Sequence, residues 1–266
     1  MGILNITPDS FFDGGKYYDG KILLKKVVED AIRMEREGAD FIDIGGESTR
    51  PGSDEISIDD ELERVIPVIS ELKKHIKIPI SIDTYKNRVA EEALKNGASI
   101  VNDISGFKFD YMLPEITKNY NASCILMHIQ GTPKNMQINP KYKNVVEEVY
   151  EYLSESIKIA REYKIEQIII DPGIGFGKTL NDNLLLIRNL SKFKSFGLPI
   201  IIGLSNKKFI DNISPTPVNE RLEGTIASST FAVLNGANIL RVHNVLSNRK
   251  AAIITDKLKE LNGNIS

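Results

Sequence analysis

Acids, amides and bases recur in one kind of place in this chain, directly after short apolar runs. Asn5 follows Gly2-Ile3-Leu4. Asp43 lies within Phe41–Ile44, which leads into Glu47-Ser48-Thr49-Arg50. Asp83 follows Ile82, Asn102 and Asp103 follow Val101, and His128 follows Met127. Asp171 follows Ile170, Ser205-Asn206-Lys207 trail the run ending at Ile202, and Arg241 and His243 flank Val242. One Asp after an apolar run is commonly a turn former or helix cap. Eight concordant placements describe instead a single ring in which carboxylates, amides and cations converge. A carboxylate in such a ring accepts paired N–H donors through charge-assisted hydrogen bonds. Asn both donates and accepts, and Arg grips an anion bidentately. No hydroxyl or thiol sits beside a base as a covalent nucleophile would, which favours direct displacement.

Three loops rich in Gly, Pro and small polar residues, Asn5–Gly15, Gly45–Ser53 and Pro172–Lys178, are candidates for mobile functional segments. The third, Pro172-Gly173-Ile174-Gly175-Phe176-Gly177-Lys178-Thr179, comes close to a phosphate-binding P-loop. Its first required glycine is replaced by Pro172, so nucleoside triphosphate binding is not expected. No GxGxxG follows an apolar run, and His75, His128 and His243 are scattered without an HxxxH pair. Neither a dinucleotide site nor a zinc site is expected.

The elements that must position the ring alternate strictly. The apolar runs Met1–Leu4, Phe41–Ile44, Ile78–Ile82, Ser99–Val101, Ser123–Met127, Gln167–Ile170, Pro199–Ile202 and Asn238–Val242 read as parallel strands buried on both faces. Between them, Lys21–Glu37, Ser57–His75, Lys86–Asn96, Leu113–Tyr120, Asn144–Tyr163, Leu180–Phe196, Glu220–Asn235 and Ser247–Leu261 read as helices. Ser57 and Thr179 stand as N-caps three residues before Asp60 and Asp182, and Gly97 is a natural residue to follow a helix. Eight βα units in 266 residues are best used by a single (β/α)8 TIM barrel, an α/β fold with its site at the C-terminal ends of the strands. An open doubly wound sheet is the rival.

No low-complexity tract or shift in composition marks a boundary, so residues 1–266 are expected to form one domain. The first strand starts at once, without the lead-in that usually covers a barrel's bottom. That raises the expectation of a short coding start or of a piece cut from a longer chain. The formal net charge of −2 provides no basic field for nucleic acid or an anionic membrane. No apolar run approaches the ~20 residues of a membrane span, and no signal peptide is recognisable. The lone cysteine, Cys124, rules out an intramolecular disulfide, fits a reducing compartment and reads as a buried small hydrophobe. A cytoplasmic enzyme acting on small molecules is expected.

The run Gly2-Ile3-Leu4-Asn5-Ile6-Thr7-Pro8-Asp9-Ser10-Phe11 resembles the first-loop signature of the dihydropteroate synthases. So does Gly38-Ala39-Asp40-Phe41-Ile42-Asp43-Ile44-Gly45-Gly46-Glu47-Ser48-Thr49-Arg50-Pro51-Gly52. Shorter matches are Ser81-Ile82-Asp83-Thr84, Val101-Asn102-Asp103, Met127-His128, Asp171 through Lys178 and Arg241-Val242-His243. The matches keep their order from residue 2 to about residue 250. The resemblance implies a sulfonamide-sensitive transferase of folate biosynthesis. It would condense 6-hydroxymethyl-7,8-dihydropterin pyrophosphate with p-aminobenzoate, use Mg²⁺ and form a homodimer.

Carried over residue by residue, the resemblance gives the pterin to Asp83, Asn102, Met127, Asp171, Phe176 and Lys207. It gives the pyrophosphate to Thr49, Arg50, Arg241 and His243, and p-aminobenzoate to Phe11, Thr49, Pro51, Phe176 and Lys208. Asn5 would hold the metal, and Asp83, Asp171, Lys207 and Asp13 would carry the catalysis. Three positions depart from the usual pattern: Asn206 where Arg is common, Lys208 where a small Ser is common and Asn244 where Asp is common. They bear on the benzoate more than on the pterin. A non-catalytic pterin-binding homologue and a pterin-dependent methyltransferase barrel are the alternatives.

Overall fold

The computed structural model describes residues 1–7, 17 and 22–261. Its eight strands are β1 (Gly2–Asn5), β2 (Ile42–Gly45), β3 (Ile80–Asp83), β4 (Ile100–Asp103), β5 (Ser123–Met127), β6 (Ile168–Asp171), β7 (Ile201–Ile202) and β8 (Ile239–Leu240). β1 to β6 pair in sequence order, all parallel, and β7 pairs with β8. Parallel bridges at Ile170–Ile200 and Gly2–Val242 join the two groups. The ring closes through Ile170 N–H to Pro199 O at 3.0 Å and Val242 N–H to Met1 O at 3.0 Å. The architecture is therefore the expected barrel, and the open-sheet alternative falls.

The helices among the described residues are α1 (Leu24–Arg36), α2 (Ile58–His75), α3 (Asn87–Lys95), α4 (Leu113–Asn119), α5 (Val145–Glu162), α6 (Leu180–Arg188), α7 (Lys208–Ile213), α8 (Leu222–Leu234) and α9 (Val245–Leu261). The caps read from sequence form. Ser57 accepts from Asp60 N–H, and Thr179 and Asp182 make a reciprocal capping box. Gly97, at φ +119°, ends α3 as a non-glycine residue would not. The expected sixth helix breaks at Asn189, whose amide bonds back to Leu185 O at 2.8 Å. The chain continues as a 3₁₀ turn over Leu190–Phe196. α7 was not expected, being six residues long with no side-chain cap, too short to show a period.

The two-residue period of a strand sorts the side chains to opposite faces. Ile42, Ile44, Ile80, Ile82, Val101, Cys124, Leu126, Ile168, Ile170, Ile200 and Ile202 belong to the large core shared with the helices. The alternate residues fill the barrel. Met1, Ile100, Ile125 and Ile201, with Phe41, Ile169 and Ile239 against them, make a separate apolar plug. One pleat further along the same strands, the inward positions change character to Asp43, Asp83, Asn102, Met127 and Asp171. The apolar plug thus supports a polar floor directly above it. Cys124 is free and buried, as read.

Candidate active site

Above this floor opens a cavity of about 950 Å³. β1, β3 and β8 contribute Asn5, Asp83, Arg241 and His243 to its walls. The loop after β2 contributes Thr49, Arg50 and Pro51, the β6 loop Phe176, and the β7 loop Lys207 and Lys208. Asn102, Met127 and Asp171 lie beneath, 6%, 4% and 7% exposed. Phe11 and Asp13 fall outside the described residues. The remaining expected site residues therefore gather at one end of one barrel. Glu47, Gln137 and Arg221 also line the cavity. Sequence reasoning gave Glu47 no role although it stands in the Glu47-Ser48-Thr49-Arg50 run, and no motif marks Gln137 or Arg221, which the closed ring brings in.

Arg241 dominates the floor. Its Nε donates to Asp43 Oδ2 at 2.6 Å and its Nη2 to Asp83 Oδ2 at 2.7 Å, while Asn102 Nδ2 donates to the same Asp43 oxygen at 3.0 Å. Asp43, read as a ring member but given no role, is thus the residue that orients Arg241 and Asn102. Asp43 Oδ1 and Asp83 Oδ1 are buried and have no hydrogen-bond partner among the described residues. Burial raises the Asp83 carboxyl to about 7, against the pull of Arg241 and with the repulsion of Asp43. Burial lowers Arg241, but the attraction of Asp43 and Asp83 prevails and keeps it charged.

The second cluster lies across the cavity. Asp171 accepts from Gly173 N–H at 2.7 Å through Oδ1. Burial raises its carboxyl, and Lys207 opposes that rise. Lys207 donates to Ile174 O and sits 4.7 Å from the Phe176 ring centroid. Burial lowers its ammonium to about 8, offset in part by Asp171. Lys207 therefore remains a cation at neutral pH. Ser205 Oγ lies 3.0 Å from His243 Nδ1 and accepts from His243 N–H at 3.3 Å, joining the tips of β7 and β8 and correcting the reading that no hydroxyl stands beside a base.

The loop after β2 is anchored from behind. Lys86 forms ion pairs with Glu47 and Glu61 and donates to Ile56 O at 2.7 Å. Tyr85 donates to Glu47 at 2.7 Å, and Arg64 holds Gly46 O at 2.8 Å. Ser53 Oγ closes the loop onto Arg50 O at 2.8 Å. Thr49, Arg50 and Pro51 are presented to the cavity by this frame.

An apolar-bottomed barrel whose upper layer places two carboxylate–cation clusters around one cavity is built to hold a small polar molecule with both acidic and basic groups. A family model described as "Pterin binding enzyme" matches residues 1–243. The dihydropteroate synthase of Clostridium beijerinckii is 46% identical over 259 residues, 96% of this chain and 92% of that protein. The Yersinia pestis dihydropteroate synthase, solved in a sulfonamide drug complex, superposes with a TM-score of 0.93 at 37% identity, covering 97% of this chain and 93% of that one. The Clostridium difficile enzyme, solved in the presence of pteroic acid, gives a TM-score of 0.88 at 42% identity, covering 97% and 95%. The chain belongs to the dihydropteroate synthases, transferases of folate biosynthesis.

Proposed function

We propose that the two clusters divide the reaction of dihydropteroate synthesis between them. The C. difficile relative was solved with pteroic acid, a molecule that joins a pterin to a p-aminobenzoyl group. The paired N–H edge of a dihydropterin fits the free acceptor side of Asp171. Asp83 and Asn102 serve the other ring nitrogens, Lys207 donates to the carbonyl side, and Met127 and Phe176 enclose the rings. Arg241, His243, Arg50 and Thr49 receive the pyrophosphate. The C–O bond to pyrophosphate breaks and the leaving group takes the electron pair. The Asp83 and Asp171 carboxylates stabilise the cation left on the pterin methylene. The amine of p-aminobenzoate then forms the new C–N bond and loses a proton. Thr49, Pro51, Phe176 and Lys208, with Phe11 and Asp13 from the first loop, would seat the benzoate. The observation that carries this reading is the placement of Asp171 with Lys207 and Asp83 with Arg241 around one cavity.

Mg²⁺ suits this site. Among the described residues no group of three or more His, Cys, Asp or Glu is arranged to hold a metal. Mg²⁺ in turn favours few protein oxygens completed by substrate phosphates. Asn5 lines the cavity and offers one such oxygen. The ion would neutralise charge on the departing pyrophosphate.

The deciding experiment combines the protein with dihydropterin pyrophosphate, Mg²⁺ and p-aminobenzoate and follows pyrophosphate and dihydropteroate. Formation of both, suppressed by a sulfonamide, is expected. Pterin binding with no product would replace this reading with that of a non-catalytic homologue. Asp171→Ala should weaken pterin binding by about 1.5–3 kcal/mol, the loss of one charged hydrogen-bonding group. Calorimetry on the folded variant checks it, and unchanged affinity would mean that another group reads the pyrimidine edge.

The chain also pairs with itself in this reading. The outer faces of α8 and α9 expose Phe231 at 46%, Leu234 at 54%, Ile254 at 63% and Leu258 at 59%, the kind of clustered apolar surface that marks an interface. A homodimer across these helices is expected. Ile254→Glu combined with Phe231→Glu should yield monomers in sedimentation; a persisting dimer would place the interface elsewhere. No described helix is long and apolar enough to cross a membrane, and the free buried thiol of Cys124 suits the reducing cytoplasm.

A further inference from the structure

The near-P-loop lysine is left without a task by the reaction as drawn. Lys178 borders the cavity but is only 3% exposed, burial lowers its pKa well below that of an ordinary lysine, and its Nζ is engaged by the protein on three sides. It lies 2.8 Å from His128 Nδ1 and donates to Gly173 O at 2.8 Å and to Phe176 O at 2.9 Å. Both carbonyls belong to the turn between β6 and α6. The peptide N–H of Gly173 in turn donates to Asp171 Oδ1, and Phe176 is the ring beside Lys207.

We propose that Lys178 is a positioning residue for pterin recognition, its terminal nitrogen clamping the 173–177 turn against His128 so that Asp171 and Phe176 are held where the pterin needs them. This rests on the pterin assignment above.

Independent geometry agrees. Gly173, at φ +69°, is pressed so closely onto β5 that a Cβ there would lie 1.9 Å from His128 O. One on Gly177, at φ +64°, would lie 2.5 Å from Gln130 O. Tyr142 donates to Gly177 O at 2.6 Å, and Gly175 N–H donates to Asn183 Oδ1 at 2.7 Å. The turn has contacts on several sides, but among the described residues only Lys178 ties both its ends to one point. With Lys178 as the donor, His128 accepts at Nδ1 and carries its proton on Nε2. Burial and the adjacent Lys178 keep it neutral, with its pKa lowered to about 2, and its ring packs edge-on to Tyr152 at 4.6 Å.

Steady-state kinetics with dihydropterin pyrophosphate and p-aminobenzoate provide the test. Lys178→Met should raise KM for the pterin substrate at least tenfold while kcat changes less than threefold. His128→Leu should reproduce this. His128→Asn, whose Oδ1 can accept in place of Nδ1, should return KM to within threefold of the parent. If Lys178→Met does not fold, the two His128 variants decide. An unchanged pterin KM in Lys178→Met overturns the proposal. So does a His128→Asn variant as impaired as His128→Leu, which would leave only ring packing. Should the parent turn over no substrate, the reading of the reaction fails by itself. Equilibrium binding of dihydropterin pyrophosphate to parent and variants then tests the clamp, with the same tenfold loss expected in Lys178→Met and equal affinities overturning it.

Discussion

Arg241→Met should destabilise the protein by about 3–5 kcal/mol at pH 8, the cost of leaving a buried charge without its partner, and should reduce turnover by more than a hundredfold. Methionine reproduces the arginine stem, so packing along the stem is kept while the guanidinium is removed with its charge and its hydrogen bonds to Asp43 and Asp83. What remains is Asp43, whose side chain is fully buried, and Asp83, 11% exposed, with no cation between them. The pH dependence follows from the sign of the Asp83 shift. Its pKa is already raised in the folded state, so the folded protein binds this proton more tightly than the unfolded chain. Its unfavourable contribution to stability grows as pH climbs from about 4 to about 7. Without Arg241 the pKa rises further and the window extends upward. Denaturant melts of parent and variant should therefore diverge with rising pH and converge near pH 4. A constant difference across that range would mean that the carboxylates are not what Arg241 holds down.

Lys86→Met should have a comparable effect behind the loop after β2. Lys86 is the shared cation of Glu47 and Glu61, whose side chains are 5% and 1% exposed. Burial already raises the Glu61 carboxyl, with Lys86 pulling it down. Loss of the lysine should cost about 3–5 kcal/mol at neutral pH. As Glu61 then rises further, the penalty should shrink toward acid pH. Glu61→Gln added to Lys86→Met should restore part of the stability, because one of the two stranded charges is gone. The kinetic consequence is local. Glu47 opens the loop that carries Thr49 and Pro51, so KM for p-aminobenzoate should rise several-fold more than KM for the pterin. Equal changes in the two constants would detach this frame from the benzoate loop.

The strand tips were legible because the chemistry follows strand ends in a barrel. Asp83, Asn102, Asp171, Lys207 and Arg241 each follow or close an apolar run, and closure places them around one axis. The caps at Ser57 and Thr179 were legible because their partners lie three residues away. What escaped is set by distance along the chain. The Arg241–Asp43 bond spans 198 residues and Lys86–Glu47 spans 39, and no local pattern records such pairs. Lys178 was visible only as a failed phosphate motif, since its acceptors are backbone carbonyls and a ring nitrogen 50 residues away. The break at Asn189 was hidden because apolar spacing runs on through it, and Lys208–Ile213 lacked the length to announce a helix.

The shortness of β7 and β8 bears on how the molecule behaves once loaded. Two residues each, they meet the rest of the wall through isolated bridges, so this arc is the barrel's thinnest seam. Lys207 and Arg241 follow these two strands, whereas Asp171 ends β6, next along the wall, and Asp83 ends β3. A pterin pyrophosphate held as proposed spans from this arc to the rest of the wall at both ends. The substrate would then act as a hoop around the staves, supplying cross-ties where the backbone has fewest, so that loading stiffens this arc more than the rest of the wall.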